Sequence, residues 1–251
     1  MNKIKQEEPS LDFKRAWQSA RHHIQQQGQG GVGWIRSNLD PPVAEHLSFL
    51  VGNKLFFIFV DAAEFSYEMG KNLFLKASKE AAAIPCVMPM TEHLSGSQPS
   101  VHGWGLLHAE THKEVNPLEL ITDELIEISD WELHDFAIKV VKDSLEKEGK
   151  NVFSAQSSLH INPSIWFEES GIRYWVVVRA VRYPEKEATI PSNIMDIKAG
   201  CSHKGETGYF ASVSVANAED PFDPMAKNNG NFFPLYRGYG VSVIYKGLID
   251  V

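Results

Sequence analysis

The residues with the most chemical capacity fall into three groups. In the first, His108-Ala-Glu110-Thr-His112, two imidazoles and a carboxylate occupy alternate positions. If Trp104–His112 is a strand, all three project from one face and offer part of a first shell for zinc or iron. No further ligand is evident in the sequence, and His/Glu clusters at strand ends are also common on plain surfaces. The second group joins the acids Glu132, Asp135, Glu168 and Glu169 to Gln156, Ser164, Arg179 and Arg182. Carboxylates here could hold a hard divalent cation, and the arginines could clamp an anion. In the third, Phe222, Phe232, Phe233, Tyr236, Arg237 and Tyr239 have the aromatic and Arg composition of a recognition surface, or else close the open end of a sheet.

Other local patterns carry less. His22 and His23 are adjacent on a helical stretch and therefore point apart. The run GQGGVGW lacks the Lys-Ser/Thr ending of a phosphate-cradling loop and reads as a flexible connection. Cys86 and Cys201 sit in no C-x-x-C pair, which predicts buried reduced thiols.

Positioning the second group requires one amphipathic helix and three strands between Ser129 and Pro184. Ser129 and Glu132 stand at capping-box spacing. Leu133, Phe136, Ala137, Val140, Val141 and Leu145 then recur every three or four residues until Gly149. Strand signals follow at 151–157, 164–167 and 174–181, with Glu168-Glu169-Ser170-Gly171 as the turn of a hairpin. The run Trp175-Val-Val-Val178 is apolar enough to be covered on both faces, which places it at the centre of a sheet. After Pro184 come a loop, a helix carrying Ile194, Ile197 and Cys201, and a strand at 209–216. A strand, crossover helix and strand imply a parallel pair. A last strand is expected from Val241 to Lys246.

This order, αβββαβ, with a hairpin whose first arm opens Pro-Ser-Ile and whose second ends Val-Val-Val-Arg, resembles the core of the PD-(D/E)XK nuclease superfamily over about residues 129–217. The resemblance implies a metal-binding Asp where Ser164 stands, a metal-binding Glu or Gln where Val177 stands, and a Lys where Arg179 stands. All three depart from the pattern. A nuclease of that kind needs a divalent ion on oxygen ligands, which serine supplies weakly and valine not at all. The expectation is a degenerate site with no cofactor, serving a non-catalytic interaction protein whose groove near Gln156, Ser164, Arg179 and Arg182 binds a protein or, weakly, nucleic acid. The alternative is a Mg-dependent nuclease whose acidic ligands have migrated to Glu132, Asp135, Glu168 or Glu169.

The N-terminal part predicts a helix over 11–27 with Leu11, Ala16, Trp17, Ala20 and Ile24 on one face, and a hairpin of 47–51 and 55–60 turning at Gly52-Asn53. A partly helical span at 73–82 follows. Ile84–Met90 carries two prolines and suits an edge or a buried extended segment. The expected division is 1–127, a smaller mixed α/β region, and 128–251, the nuclease-like domain, giving an α+β protein overall. A chain of 251 residues with net charge −8 and no basic half argues against backbone-driven nucleic-acid binding. With no eighteen-residue apolar run and no signal-like N-terminus, a soluble cytoplasmic protein is expected.

Overall fold

The structure is a computed structural model that describes residues 9–39, 46–62, 66–93, 96–202, 207–220, 222 and 232–251. Its chain divides into two compact units between Ile126 and Glu127. The fold is mixed α+β, each unit being built on one mixed sheet.

In the N-terminal unit, α1 (Leu11–Gln27) starts at Ser10, whose Oγ accepts from the Phe13 amide at 3.1 Å. Its buried stripe of Phe13, Ala16, Trp17, Ala20 and Ile24 packs in one core with Phe49, Phe56, Ile58 and Val60. Strands β1 (Gly33–Arg36), β2 (Leu47–Val51) and β3 (Lys54–Asp61) form an antiparallel meander, and α2 (Tyr67–Glu80) leads to β4 (Ile84–His93), which lies parallel to β3. The opposite face of β3 carries Phe57 and Phe59, and Phe59 meets the rings of Tyr67 and Phe74 on α2. Strands β5 (Gly96–Pro99) and β6 (Leu107–His108) both pair with β4.

Two local readings change here, and of the two alternatives for the proline-containing segment the buried extended one holds. The glycine-rich run is not connection throughout, because Gly33 and Trp34 already belong to β1. The proline-containing segment is an interior strand, bonded to β3 on one side and to β5 and β6 on the other. The strand expected over 104–112 shrinks to Leu107–His108, since the chain turns at once: the His108 amide donates to the Lys113 carbonyl at 2.8 Å, and His112 sits at φ 55°.

In the C-terminal unit, α3 (Asp130–Lys147) opens with the full capping box of Ser129 and Glu132. Strands β7 (Asn151–Ala155), β8 (Ile165–Glu169) and β9 (Ile172–Arg182) again form an antiparallel meander. The β8–β9 turn is tighter than Glu168–Gly171. Both strands run on to Ser170 and Gly171, whose φ angles of 54° and 80° close a two-residue hairpin. Helix α4 (Ile194–Cys201) crosses to β10 (Thr207–Asn217), which is parallel to β9, and β11 (Val241–Tyr245) and β12 (Ile249–Asp250) pair with β10. Helix α3 covers one face, packing Leu133, Ala137, Ile138, Val141 and Leu145 with Ile165, Val176, Val178 and Val213. On the other face Trp175, Val177 and Phe210 pack with Cys201 of α4. The apolar centre of β9 is therefore buried on both sides, as a central strand must be.

The two units repeat one plan. Each runs helix, three-strand antiparallel meander, helix, then a strand parallel to the third, with the first helix on the even-numbered face of that third strand and the second helix on the odd-numbered face. The strand–helix–strand crossover makes such a unit self-sufficient, because two helices close both faces of a single sheet. Among the described residues no helix is long and apolar enough to cross a membrane.

Candidate functional site

The β8–β9 register brings together the three positions on which the nuclease resemblance rests. With Ile165 opposite Val176, Ser164 falls opposite Val177, and Arg179 lies two residues further along β9. The Ser164 amide donates to the Val176 carbonyl at 2.9 Å, while its Oγ accepts from the Val178 amide at 3.3 Å. Both polar groups of Ser164 thus fasten the hairpin, and the residue is buried. Val177 is fully buried among Trp175, Cys201 and Phe210, so the position where the resemblance would put an acidic ligand is filled by core.

Arg179 has a different environment. Its Nη1 donates to the Val178 carbonyl at 2.8 Å and its Nη2 to Asn162 Oδ1 at 3.0 Å. Both acceptors are neutral, and partial burial moves the guanidinium below its ordinary pKa. Arg182 by contrast is balanced, donating to Asp130 Oδ1 at 2.5 Å and to the Ile128 carbonyl at 2.9 Å. Both arginines line a groove of about 450 Å³ with Asp130, Leu133, His134, Leu159 and Glu185. A second depression of about 340 Å³ shares Arg182 and Glu185 and continues past Tyr183 to Phe232 and Phe233. The groove sits at the carboxyl end of β9, beside its parallel neighbour β10, where open sheets of this kind leave a crevice.

The other expected residues lie elsewhere or are engaged. Gln156 pins the loop ahead of β8, its Nε2 donating to the Ile161 carbonyl at 2.8 Å and its Oε1 accepting from the Ser158 amide at 2.8 Å. Arg237 is buried and forms a bidentate pair with Glu132, at 2.9 Å from Nε to Oε1 and 2.8 Å from Nη2 to Oε2. Tyr236 bridges to the Glu127 backbone and faces Tyr239; neither it nor Arg237 lines the groove. Asp135 accepts from Ser157 Oγ and is 2.9 Å from Lys139 Nζ. Glu168 is opposite Arg173, six residues before Arg179 on β9, which at strand rise is about 20 Å away. Glu169, paired with Ile172, is still nearer the hairpin turn. The candidate replacement acids are therefore dispersed.

His108 ends β6, and Glu110 and His112 lie in the tight loop that follows, where His108 Nδ1 accepts from the Glu110 amide at 3.3 Å. The single-face projection needed for a shared ion is lost with the strand. Among the described residues no three His, Cys, Asp or Glu side chains converge as a metal ion would require.

His134, Asp130, Leu159 and Glu185 were not legible as site residues. The first two belong to the opening turns of α3, where periodicity marks the core face but says nothing about the neighbouring strand end. The signal that could have found them is topological: the carboxyl end of β9 must meet the start of the helix packed on it.

A family model described as a domain of unknown function, DUF8840, matches residues 131–251, nearly the whole C-terminal unit and all of the groove except Asp130. No curated protein and no solved structure matches the chain.

Proposed function

We propose that the C-terminal unit is a non-catalytic interaction module on a degenerate nuclease-like frame, and that it binds its partner through the groove at the end of β9. The observation that carries this reading is Arg179: a half-buried guanidinium in an open groove, whose hydrogen-bond acceptors among the described residues are both neutral. A charge withdrawn from water without a counter-charge is costly unless a ligand supplies one. The helix and strand order and the pairing of Ser164 with Val177 support the nuclease-like frame. Val177, packed in the core where the resemblance would put an acidic ligand, supports binding over metal-assisted hydrolysis. The sequence's two cysteines, Cys86 and Cys201, are both buried, which is consistent with a cytoplasmic setting.

The frame and its proposed loss of catalysis are tested by incubating the full chain with single- and double-stranded DNA and RNA in Mg²⁺ or Mn²⁺. The expected result is no turnover above a buffer control. Metal-dependent cleavage that disappears in Asp130→Asn or Glu185→Gln would establish a nuclease in the groove instead, on acids other than the Glu132, Asp135, Glu168 and Glu169 first expected.

A further inference from the structure

Deepening that reading, and resting on it, we infer that the groove takes a short peptide segment in which one carboxylate, seated on Arg179, is flanked by apolar residues. Arg carries five N–H donors in a planar fork, and the two contacts of Arg179 leave donors to spare. A fork of this shape matches a carboxylate in two-point contact.

Charge separates a peptide from a nucleic acid. Asp130 and Glu185 line the same groove, and Glu127 lines its continuation. A phosphate backbone laid along this path would meet three carboxylates for two arginines, one of which, Arg182, is already paired with Asp130. The chain's net charge of −8 adds a further repulsion. One isolated carboxylate meets Arg179 and can leave the acids at the rim facing water.

Both ends of the path are apolar and exposed. Ile161, 56% exposed, neighbours the Asn162 that holds Arg179, and Leu159, 36% exposed, lines the groove itself. At the other end Phe232 and Phe233 are 45% and 59% exposed. Exposed aromatic and aliphatic side chains on either side of a cationic centre are the anchors of a peptide interface, with the charge fixing register. The shared Arg182 and Glu185 make the two depressions one track.

The test selects a displayed library of random twelve-residue peptides on the full chain and measures enriched peptides by fluorescence anisotropy. The expected peptides carry Asp or Glu between apolar residues. They should lose affinity at least tenfold when that acid becomes its amide, and equally against Arg179→Gln. Leu159→Asp, at the exposed rim, should cost a similar factor without touching the Asn162 contact, and the melting temperature of each variant checks its folding. No enriched peptide, or enriched peptides that bind Arg179→Gln undiminished, would overturn the inference. In the second case loss on Leu159→Asp would still leave the groove as the binding site. A single-stranded oligonucleotide whose binding needs Arg179 would replace the peptide by nucleic acid and leave the parent reading standing. If neither probe responds to Arg179 or Leu159, both fall.

Discussion

Arg237 and Arg179 look alike in sequence, each beside aromatic or apolar neighbours near a strand, yet burial and partners give them opposite roles. Arg237 and Glu132 are nearly inaccessible, with side chains 3% and 6% exposed, and each neutralises the other. Glu132 also accepts from the Ser129 amide at 2.8 Å, so the pair ties the segment after residue 232 to the start of α3. Removing one member of such a pair strands a buried charge. Arg237→Met should lower unfolding free energy by about 3 kcal/mol in urea titrations, while Glu132→Gln combined with Arg237→Met should cost less than the two single changes summed. Additive losses would mean the two side chains do not depend on each other. Arg179, whose contacts are neutral and whose surroundings are open, is the arginine that we propose acts on a partner.

At the scale of elements, β9 and β10 set the site, and their parallel register depends on Gly208. It lies beside Trp175, where an added Cβ would come within 2.0 Å of the indole. Gly208→Ala should therefore destabilise by about 1–3 kcal/mol through overpacking, and Gly208→Ala with Trp175→Leu should recover part of the loss. An unchanged melting temperature for the single variant would show that the strands can shift apart freely. Helix α3, β8, β9 and the crossover to β10 were all legible, because capping residues, a valine run and 3.6-residue periodicity are local signals. Strand β1 was not, since four residues starting at glycine carry too little pattern, and the two prolines of β4 left its reading open between an edge and a buried extended segment. The site was half legible: Arg179 and Arg182 were found from the end of the valine run, but Glu132 and Arg237 are partners far apart along the chain, which spacing could not reveal, and Gln156 turns back on its own loop to Ser158 and Ile161.

For the whole molecule, the repeated plan was invisible in sequence because the two units share conformations rather than residues. The two hairpins turn at Gly52-Asn53 and at Ser170-Gly171, and α1 and α3 bury different side chains at the same period. Each unit has its own sheet with helices on both faces, so residues 1–126 and 127–251 expressed separately should each unfold as one cooperative transition. A half that stays unfolded by circular dichroism would show that its core needs the other. The groove described above lies in the second unit, so under our proposal residues 127–251 by themselves should retain the partner. The most direct test compares proteins retained from native lysate by the full wild-type chain and by Arg179→Gln, quantified by mass spectrometry, with both baits shown to be folded. The account predicts at least one specific partner depleted tenfold or more on the variant. Identical retained sets would contradict it, and Arg179 would then be a structural residue.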